Sequence, residues 1–540
     1  MKLVVIGGVA AGMSAAARAR RLDENAEIVV LERGPYVSFA NCGLPYFVGG
    51  EIEDEAALLV QTPQSLKESL NLDIRVNHEV TKIDPESKMV TVNGKSLSYD
   101  ALILAPGGEA VHPPLPGLDL PHVQTLRTVD DAKDIKNAAL SSENAVVLGG
   151  GFIGIEAAEA LVARGLNVSL IELADHILPP AETEIAALAT RELERLGVHV
   201  RPGIGAQQVT ESAVKLTDGS EVPADLVVLS VGVKPDTYIY EAAGVETKNG
   251  AIITDGHGRT NIPGIWAAGD ATLRKGMVRP VALAGPAGRA GRFVADDIFN
   301  PENAREIPLP LGTAIVRIGK LTVAMTGENR QALGQRDFHT IHLHSSQHAG
   351  YFPGSKPISL LIHFSEDGTI LGAQAAGEEG VDKRIDILAT AIRAGLNVED
   401  LIDLDLAYSP PYGSAKDPVN MAGMLAQNVI QGKTKLWYTG DLEWALENAL
   451  IIDVRSEKEY DSGHIQEAIN IPHTQIRDRL GKIKEIANGR PIRLICKSGM
   501  RSYLAFRVLA QNGLDVATFS GGMSTLIDTL GNQAMQKMGA

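Results

Sequence analysis

Short uninterrupted apolar runs that end in glycine, each followed by a stretch with helical spacing, recur along this chain. The first, Leu3-Val4-Val5-Ile6, leads into Gly7-Gly8-Val9-Ala10-Ala11-Gly12 and a predicted helix over 13–22. Such a run reads as a buried strand. A second strand over 27–31 ends in Glu32, 20 residues beyond Gly12. The layout returns at 145–148, followed by Gly149-Gly150-Gly151-Phe152-Ile153-Gly154, a helix over 156–164, and a strand over 168–171 that ends in Glu172. Strands ending in tight glycine turns are also expected at Ala101-Leu102-Ile103-Leu104-Ala105-Pro106-Gly107-Gly108 and before Gly269-Asp270. The first residues imitate a short secretory signal, but they read better as strand, glycine loop and helix.

This punctuation carries chemistry. A strand that hands its chain to a glycine loop at a helix N-terminus lets the backbone approach a pyrophosphate, and an acid about 20 residues on accepts ribose hydroxyls. The second unit has the full G-x-G-x-x-G spacing; in the first, Val9 replaces the middle glycine. Two such units imply two dinucleotides. Glu172 would repel a 2′-phosphate and no arginine follows it closely, which favours NADH over NADPH.

A net charge of −16 over 540 residues argues against nucleic acid or an anionic membrane as a bulk partner, so anionic ligands must find local basic patches. The chain has two cysteines, Cys42 and Cys496, in unrelated surroundings. They cannot form a disulfide framework, and a reducing cytoplasm is the expected compartment.

Thr260-Asn261-Ile262-Pro263-Gly264-Ile265-Trp266-Ala267-Ala268-Gly269-Asp270, together with the two glycine units, resembles the two-dinucleotide flavoprotein disulfide reductases. The resemblance implies an α/β fold of two Rossmann-like domains, an α+β interface domain and a further α/β domain. It places a discontinuous FAD domain at 1–115 and 245–305, an NADH domain at 116–244 and a dimerisation domain at 310–430. FAD would be held by Gly7, Gly8, Ala11, Gly12, Glu32, Arg33, Ala105, Gly107, Gly269 and Asp270, the last on the ribityl chain. NADH would be held by Gly149, Gly151, Gly154 and Glu172.

Ser38-Phe39-Ala40-Asn41-Cys42-Gly43-Leu44-Pro45 contains one thiol where the glutathione reductase branch has a Cys-x4-Cys pair. It resembles the single-cysteine branch: coenzyme A disulfide reductases, NADH oxidases and peroxidases, and persulfide reductases. The sulfur must then cycle as a thiolate, mixed disulfide, persulfide or sulfenate, and a lowered thiol pKa is expected. Peroxide-reducing members carry a histidine where this chain has Ala10, which disfavours that chemistry. Ala349-Gly350-Tyr351-Phe352-Pro353-Gly354 and the segment from Tyr408 to Asp417 resemble the interface motifs of the coenzyme A disulfide reductases. By that resemblance Tyr351 and Tyr408, with Tyr412 in support, reach substrate sulfur across a homodimer. Ser14, Arg18, Arg21, Ser38 and Asn41 would contact the coenzyme A moiety, with Arg20 on the same helix and Lys67 as a further cation.

From about 435 to 540 a separate unit resembles a rhodanese domain, carried by Asp453-Val454-Arg455, Gly463-His464-Ile465 and Asn470-Ile471-Pro472 after a polar linker over 431–436. A strand over 491–496 delivers Cys496 to Cys496-Lys497-Ser498-Gly499-Met500-Arg501, one residue shorter than the Cys-x5-Arg loop of related phosphatases. The shorter loop suits a single sulfur atom. Backbone amides of 497–501, Arg501 and a helix beginning near 502 would stabilise a persulfide. His339, His342, His344 and His348 form the one histidine cluster; His342 and His344 share a strand face and could ligate zinc, yet no acidic or thiol ligand completes the set and solvent-facing polar positions account for them equally well, so no metal is expected.

The reading is therefore an FAD-dependent, NADH-consuming reductase of persulfides, polysulfides or coenzyme A disulfides, acting through Cys42, with Cys496 as sulfur acceptor and relay. The alternatives are an oxidase or peroxidase cycling Cys42 through sulfenate, and a non-catalytic sulfur carrier or redox sensor.

Overall fold

The computed structural model describes residues 1–531 and the backbone of 538–539; the remaining end of the expected 435–540 domain lies outside the described residues. Two compact units emerge: Met1–Asp175 with Leu196–Pro310, and His176–Arg195 with the chain from Leu311 onward. Among the described residues no helix is long and apolar enough to cross a membrane.

In the first unit, five parallel strands are ordered Ile265–Ala267, Ala101–Leu104, Lys2–Ile6, Glu27–Leu31, Asp73–Arg75. Successive residues divide between its faces. Leu3, Val5, Ile28, Val30 and Ile103 pack with residues of the helices Ala10–Leu22 and Ala284–Phe299, whereas Val4, Ile6, Val29, Leu31 and Leu102 pack with Tyr240 and Ile252. A sheet covered on both faces explains why its strands lack polar alternation. A second parallel sheet is ordered His199–Pro202, Asn167–Glu172, Asn144–Leu148, Leu226–Leu229, Val123–Thr125.

Both glycine-loop helices start earlier than their composition suggests, at Ala10 and at Phe152. Gly12 and Gly154 therefore lie inside the first turn. Their poor helix propensity hides the boundary, and close packing overrides it.

The second unit contains an antiparallel sheet ordered Ala314–Ile318, Leu321–Gly327, Ile370–Gly377, Pro357–Phe364, His339–Ser346, backed by the helices Val381–Ala394 and Pro418–Ile430. A parallel sheet follows: Leu436–Trp437, Val516–Phe519, Ile492–Ile495, Leu450–Asp453, Ile469–Asn470. The expected linker over 431–436 is ordered. The amides of Lys433 and Thr434 both donate to the Asn428 carbonyl, and Leu436 already pairs with Thr518.

A buried ion pair links the two loops that carry the candidate tyrosines. Arg384, fully buried, donates through Nε and Nη2 to Asp417 at 3.2 and 2.7 Å and through Nη2 to the Gln347 carbonyl at 2.8 Å. Asp417 also caps the helix Pro418–Ile430, accepting from the Val419 amide. The Ala349 amide donates to the Gly413 carbonyl beside them. Removing one partner of such a pair strands a buried charge at a cost of about 3–5 kcal/mol. Arg384→Met is accordingly expected to lower stability by about that amount in denaturant unfolding; a loss below about 1 kcal/mol would refute the pair's structural role.

Candidate active site

The first glycine loop is set by contacts that leave no space for side chains. Gly7 has φ +101°, and a Cβ there would lie 2.0 Å from the Ala105 carbonyl oxygen; a Cβ on Gly12 would lie 1.9 Å from the Gly7 oxygen. Val9 sits at the helix N-cap with φ −114° and ψ −139°, and because this φ is negative the position does not require the glycine that the motif usually has. Glu32 accepts from the Gly8 and Gly34 amides, both at 2.7 Å. The acid expected to meet ribose hydroxyls thus also holds the loop that precedes the helix. Gly107 has φ +70° with no atom within 4 Å of a would-be Cβ, Gly269 packs against Ala11, and Arg33 pairs with Glu109 at 2.5 Å.

The second loop repeats the pattern. Gly149 has φ +104°, a Cβ on Gly154 would lie 1.9 Å from the Gly149 oxygen, and Glu172 accepts from the Gly150 and Ala174 amides at 2.6 and 2.7 Å. A Cβ on Gly151 would meet open space, so the backbone presents a clear approach where a pyrophosphate would pass.

Asp270 provides a direct test of fit for a flavin. Its Oδ1 is buried without a hydrogen-bond partner, and burial, only partly offset by Arg127, raises its pKa. A buried carboxylate oxygen without a donor is costly. A hydroxyl-bearing ribityl chain supplies the missing donor, so the residues fit FAD, and the nearby Arg127 Nε is likewise without a partner.

Cys42 lies, exposed, in the single turn Asn41–Gly43 that leads into the helix Leu44–Gly49. The expectation of a lowered thiol pKa fails for the polypeptide alone. Burial, followed by the carboxylates of Glu156 and Asp270, pushes the thiol up, and only a backbone hydrogen bond opposes them. The sequence offered no sign of Glu156, which sits 114 residues from Cys42 on the helix Phe152–Ala163 and accepts from the Tyr46 hydroxyl at 3.3 Å.

The residues expected at coenzyme A divide. Arg18 is tied to Asp296 at 2.6 Å, and Arg20 is buried and spends its guanidinium on the carbonyls of Asp23, Glu24, Leu70 and Asn71. Arg21 and Lys67 remain exposed. Arg20 is structural because a buried cation must have each N–H satisfied. Ser14 donates to the Gly288 carbonyl, Asn41 donates to the Arg127 carbonyl, and Ser38 adopts φ +51°. In the second unit Tyr351 and Tyr408 are exposed and their hydroxyls hydrogen-bond at 3.1 Å, while Tyr412 is also exposed.

Cys496 is buried, only 1% exposed, at the end of the strand Ile492–Ile495. Its Sγ accepts from the Gly499 amide at 3.1 Å and lies 3.4 Å from Ser502 Oγ. The following helix begins at Met500, earlier than expected. Of the loop amides over 497–501, Gly499 is the one hydrogen-bonded to sulfur. Arg501, expected to face a persulfide, is held in a two-point ion pair by Glu459 with both contacts at 2.7 Å. Glu459 closes the capping box of a helix that begins after Ser456, so the guanidinium is fixed in orientation.

The histidines are not surface residues. His342 is buried, with Nε2 2.6 Å from Glu184 and Nδ1 2.8 Å from Ser520 Oγ; His344 bonds Ser359 and Thr525 through its two nitrogens. Both share a face as the strand period requires, but hydroxyls and carboxylates occupy their nitrogens. No cluster of potential metal ligands exists among the described residues. Arg330 joins Glu182 and Glu184, and His363 joins Glu182 at 3.0 Å.

Burial, then the neighbouring His342, pushes His344 down to about 4, and burial also lowers His363. Burial opposes ionisation of Glu184, but the hydrogen bond and charge of His342 and then Arg330 outweigh it and hold the carboxyl below its usual range. Imidazoles that resist protonation in the native state favour unfolding once the unfolded chain binds protons. Stability should therefore be flat above about pH 6.5 and fall from there toward pH 4, on the order of 3 kcal/mol from His344 alone. The glutamate contributions vanish only below their unfolded values near 4.5. Denaturant unfolding at stepped pH checks this, and His344→Asn should flatten the slope; equal stability at pH 7.5 and 5 would contradict it. For Cys42, Glu156→Gln should move the midpoint of thiol alkylation to lower pH, as followed by mass spectrometry of the Cys42 peptide; an unchanged midpoint would remove Glu156 from the thiol's environment.

Comparison with known proteins accords with this geometry. Residues 1–288 match the pyridine nucleotide-disulphide oxidoreductase family, 313–418 match its dimerisation domain, and 440–528 match the rhodanese-like domain. A coenzyme A disulfide reductase of Staphylococcus haemolyticus is 33% identical over 442 residues, covering 79% of this chain and all of that protein. Among solved structures, reduced CoADR-RHD of Bacillus anthracis superposes with a TM-score of 0.96 at 38% identity, covering 100% of this chain and 99% of that one. An NAD-dependent persulfide reductase from A. fulgidus superposes with a TM-score of 0.89 at 34% identity, covering 97% of this chain and 100% of that one. The chain belongs to the pyridine nucleotide-disulphide oxidoreductases and carries a C-terminal rhodanese-like domain.

Proposed function

We propose that this protein is an FAD-dependent, NADH-consuming reductase of persulfides, polysulfides and coenzyme A disulfides, acting as a homodimer in the cytoplasm, with the rhodanese domain as its sulfur-transfer module. The observation that carries the reading is Cys42: an accessible thiol near Asp270, whose buried oxygen calls for a donor, with no second thiol in the same unit. When bound, FAD supplies the two-electron link between NADH and sulfur at Cys42.

The chain's residues divide the remaining work. Glu32 and Glu172 fix the two glycine loops and present their carboxylates to ribose hydroxyls. The Cys42 thiolate attacks the sulfane sulfur of R–S–SH, the S–S bond breaks, and RSH leaves after taking a proton. Two electrons from NADH then convert the Cys42 persulfide into thiolate and hydrosulfide. With a coenzyme A disulfide, attack releases one coenzyme A thiolate and leaves a mixed disulfide. The hydroxyls of Tyr351 and Tyr408, as hydrogen-bond donors, suit protonation of a departing thiolate. Arg21, Lys67, Ser14, Ser38 and Asn41 are the groups we assign to the coenzyme A moiety, with Arg18 in a lesser role because of Asp296. Cys496 accepts sulfane sulfur from a donor.

Anaerobic NADH oxidation with persulfide, polysulfide, coenzyme A disulfide and peroxide tests this reading. Cys42→Ser should lower turnover with every sulfur substrate by roughly a thousand-fold or more, whereas Cys496→Ser should spare small substrates and abolish thiosulfate-to-cyanide sulfur transfer. Full NADH turnover in Cys42→Ser would overturn the mechanism, and peroxide outperforming all sulfur substrates would favour the oxidase or peroxidase alternative.

A further inference from the structure

Cys496 does not meet only backbone. The Ser502 side chain, fully buried one position after Arg501, sits 3.4 Å from Cys496 Sγ, donates to the Gly499 carbonyl at 2.8 Å, and accepts from the Thr518 hydroxyl at 2.6 Å. Thr518 is itself buried, on the strand Val516–Phe519 that pairs with Ile492–Ile495. With the thiol protonated, Ser502 Oγ accepts from both S–H and Thr518 while its own proton goes to Gly499. This fully uses a hydroxyl's one donor and two acceptor positions. A thiolate at Cys496 has no proton to give, and a half-turn of the Ser502 O–H redirects its donation from the Gly499 carbonyl to sulfur. Thr518 continues to donate to Oγ, which polarises that hydroxyl.

We infer that Ser502 is a catalytic residue of the sulfur-transfer loop, its hydroxyl switching from acceptor to donor as Cys496 ionises, with Thr518 the positioning residue behind it. The inference rests on the sulfurtransferase reading for its purpose but not for its test. In the step it serves, the Cys496 thiol loses its proton to solvent and the thiolate attacks the outer sulfur of thiosulfate. A Cys496 S–S bond forms, the S–S bond of thiosulfate breaks, and sulfite leaves with the bonding electron pair. Gly499 N–H and Ser502 O–H then both donate to the anionic sulfur. The charged groups around the loop are Lys497 in the loop itself, exposed, Arg501 with its partner Glu459, and the buried pair Asp453–Arg455. None of these is altered by replacing the hydroxyls.

The FAD-loaded full-length protein is alkylated with iodoacetamide across a pH series, with modification of the Cys496 peptide read by mass spectrometry so that Cys42 does not interfere. In Ser502→Ala the pH midpoint should rise by about one unit, slowing alkylation roughly ten-fold at neutral pH while leaving the alkaline plateau unchanged. Thr518→Val should shift the midpoint the same way by a smaller amount, and Thr518→Ser should restore it. An unshifted midpoint in Ser502→Ala would overturn the inference, as would a loss of rate that is equal at all pH. If Ser502→Ala does not fold, an unshifted Thr518→Val profile overturns it instead. Thiosulfate-to-cyanide transfer is measured alongside. Its absence from the wild type, with the alkylation midpoint still moving, would sink the sulfurtransferase reading and support the hydroxyl assignment.

Discussion

The architecture of the first unit turns on one steric constraint, the approach of a helix to the loop before it closer than any side chain allows. A Cβ on Gly12 or Gly154 would fall 1.9 Å from the carbonyl of Gly7 or Gly149. That contact seats the first helical turn directly on the end of the preceding strand and turns its free amides toward the loop. The glutamate at the end of the next strand then reaches back to the loop amide, at Gly8 in one unit and Gly150 in the other. The Ser38 amide donates to the Gly8 carbonyl, so the segment carrying Cys42 hangs from the same loop. Gly269 packs on Ala11 and brings Asp270 to the same place. Thiol, acid and nucleotide cradle are thus assembled around a space too small for a methyl group.

Features governed by local rules were legible in the sequence. Strands buried on both faces write themselves as unbroken apolar runs, and glycine spacing marks the loops because nothing else fits. Helix starts were less legible, since the residues that permit close packing, Gly12 and Gly154, are poor helix formers seen in isolation. The environment of Cys42 was not legible. Its thiol is raised by Glu156 and Asp270, which the fold imports from 114 and 228 positions away. The period of a strand put His342 and His344 on one face, yet no local rule says that this face meets Glu184, Ser520 and Thr525. Ser502 stood in plain view beside Arg501, but its significance depends on Thr518, which comes from another strand.

The second unit uses charge where the first uses close packing. Arg330 serves two glutamates, each of which also takes a histidine. The rhodanese-like part is joined to the antiparallel sheet by His342 with Ser520, His344 with Thr525, and the Tyr438 hydroxyl with the Thr340 carbonyl. Such contacts contribute little net energy, because desolvation offsets most of the attraction, but they are directional. Apolar surfaces slide at small cost, whereas a misaligned buried imidazole loses its partners. Ser520 and Thr525 flank the Gly521-Gly522 turn, and just beyond it the Met523 and Ser524 amides donate to the carbonyls of Cys496 and Lys497. The polar seam therefore fixes the orientation of the very turn that supports the sulfur loop.

The two cysteines differ in the sign of their surroundings, and that difference separates their chemistry. Cys42 is accessible and faces two carboxylates, Glu156 and Asp270. Negative charge there disfavours an anion at this sulfur, and in the proposed reaction it would favour departure of hydrosulfide. Cys496 is buried, accepts an amide hydrogen bond, lies against a hydroxyl, and has the Arg501 guanidinium nearby. Those groups favour an anionic sulfur in place. For the function proposed above, holding sulfane sulfur and discharging it as sulfide, these opposite fields suit Cys496 to the first task and Cys42 to the second. The scarcity of thiols suits the same proposal, since a third cysteine near either site would divert a persulfide into a disulfide.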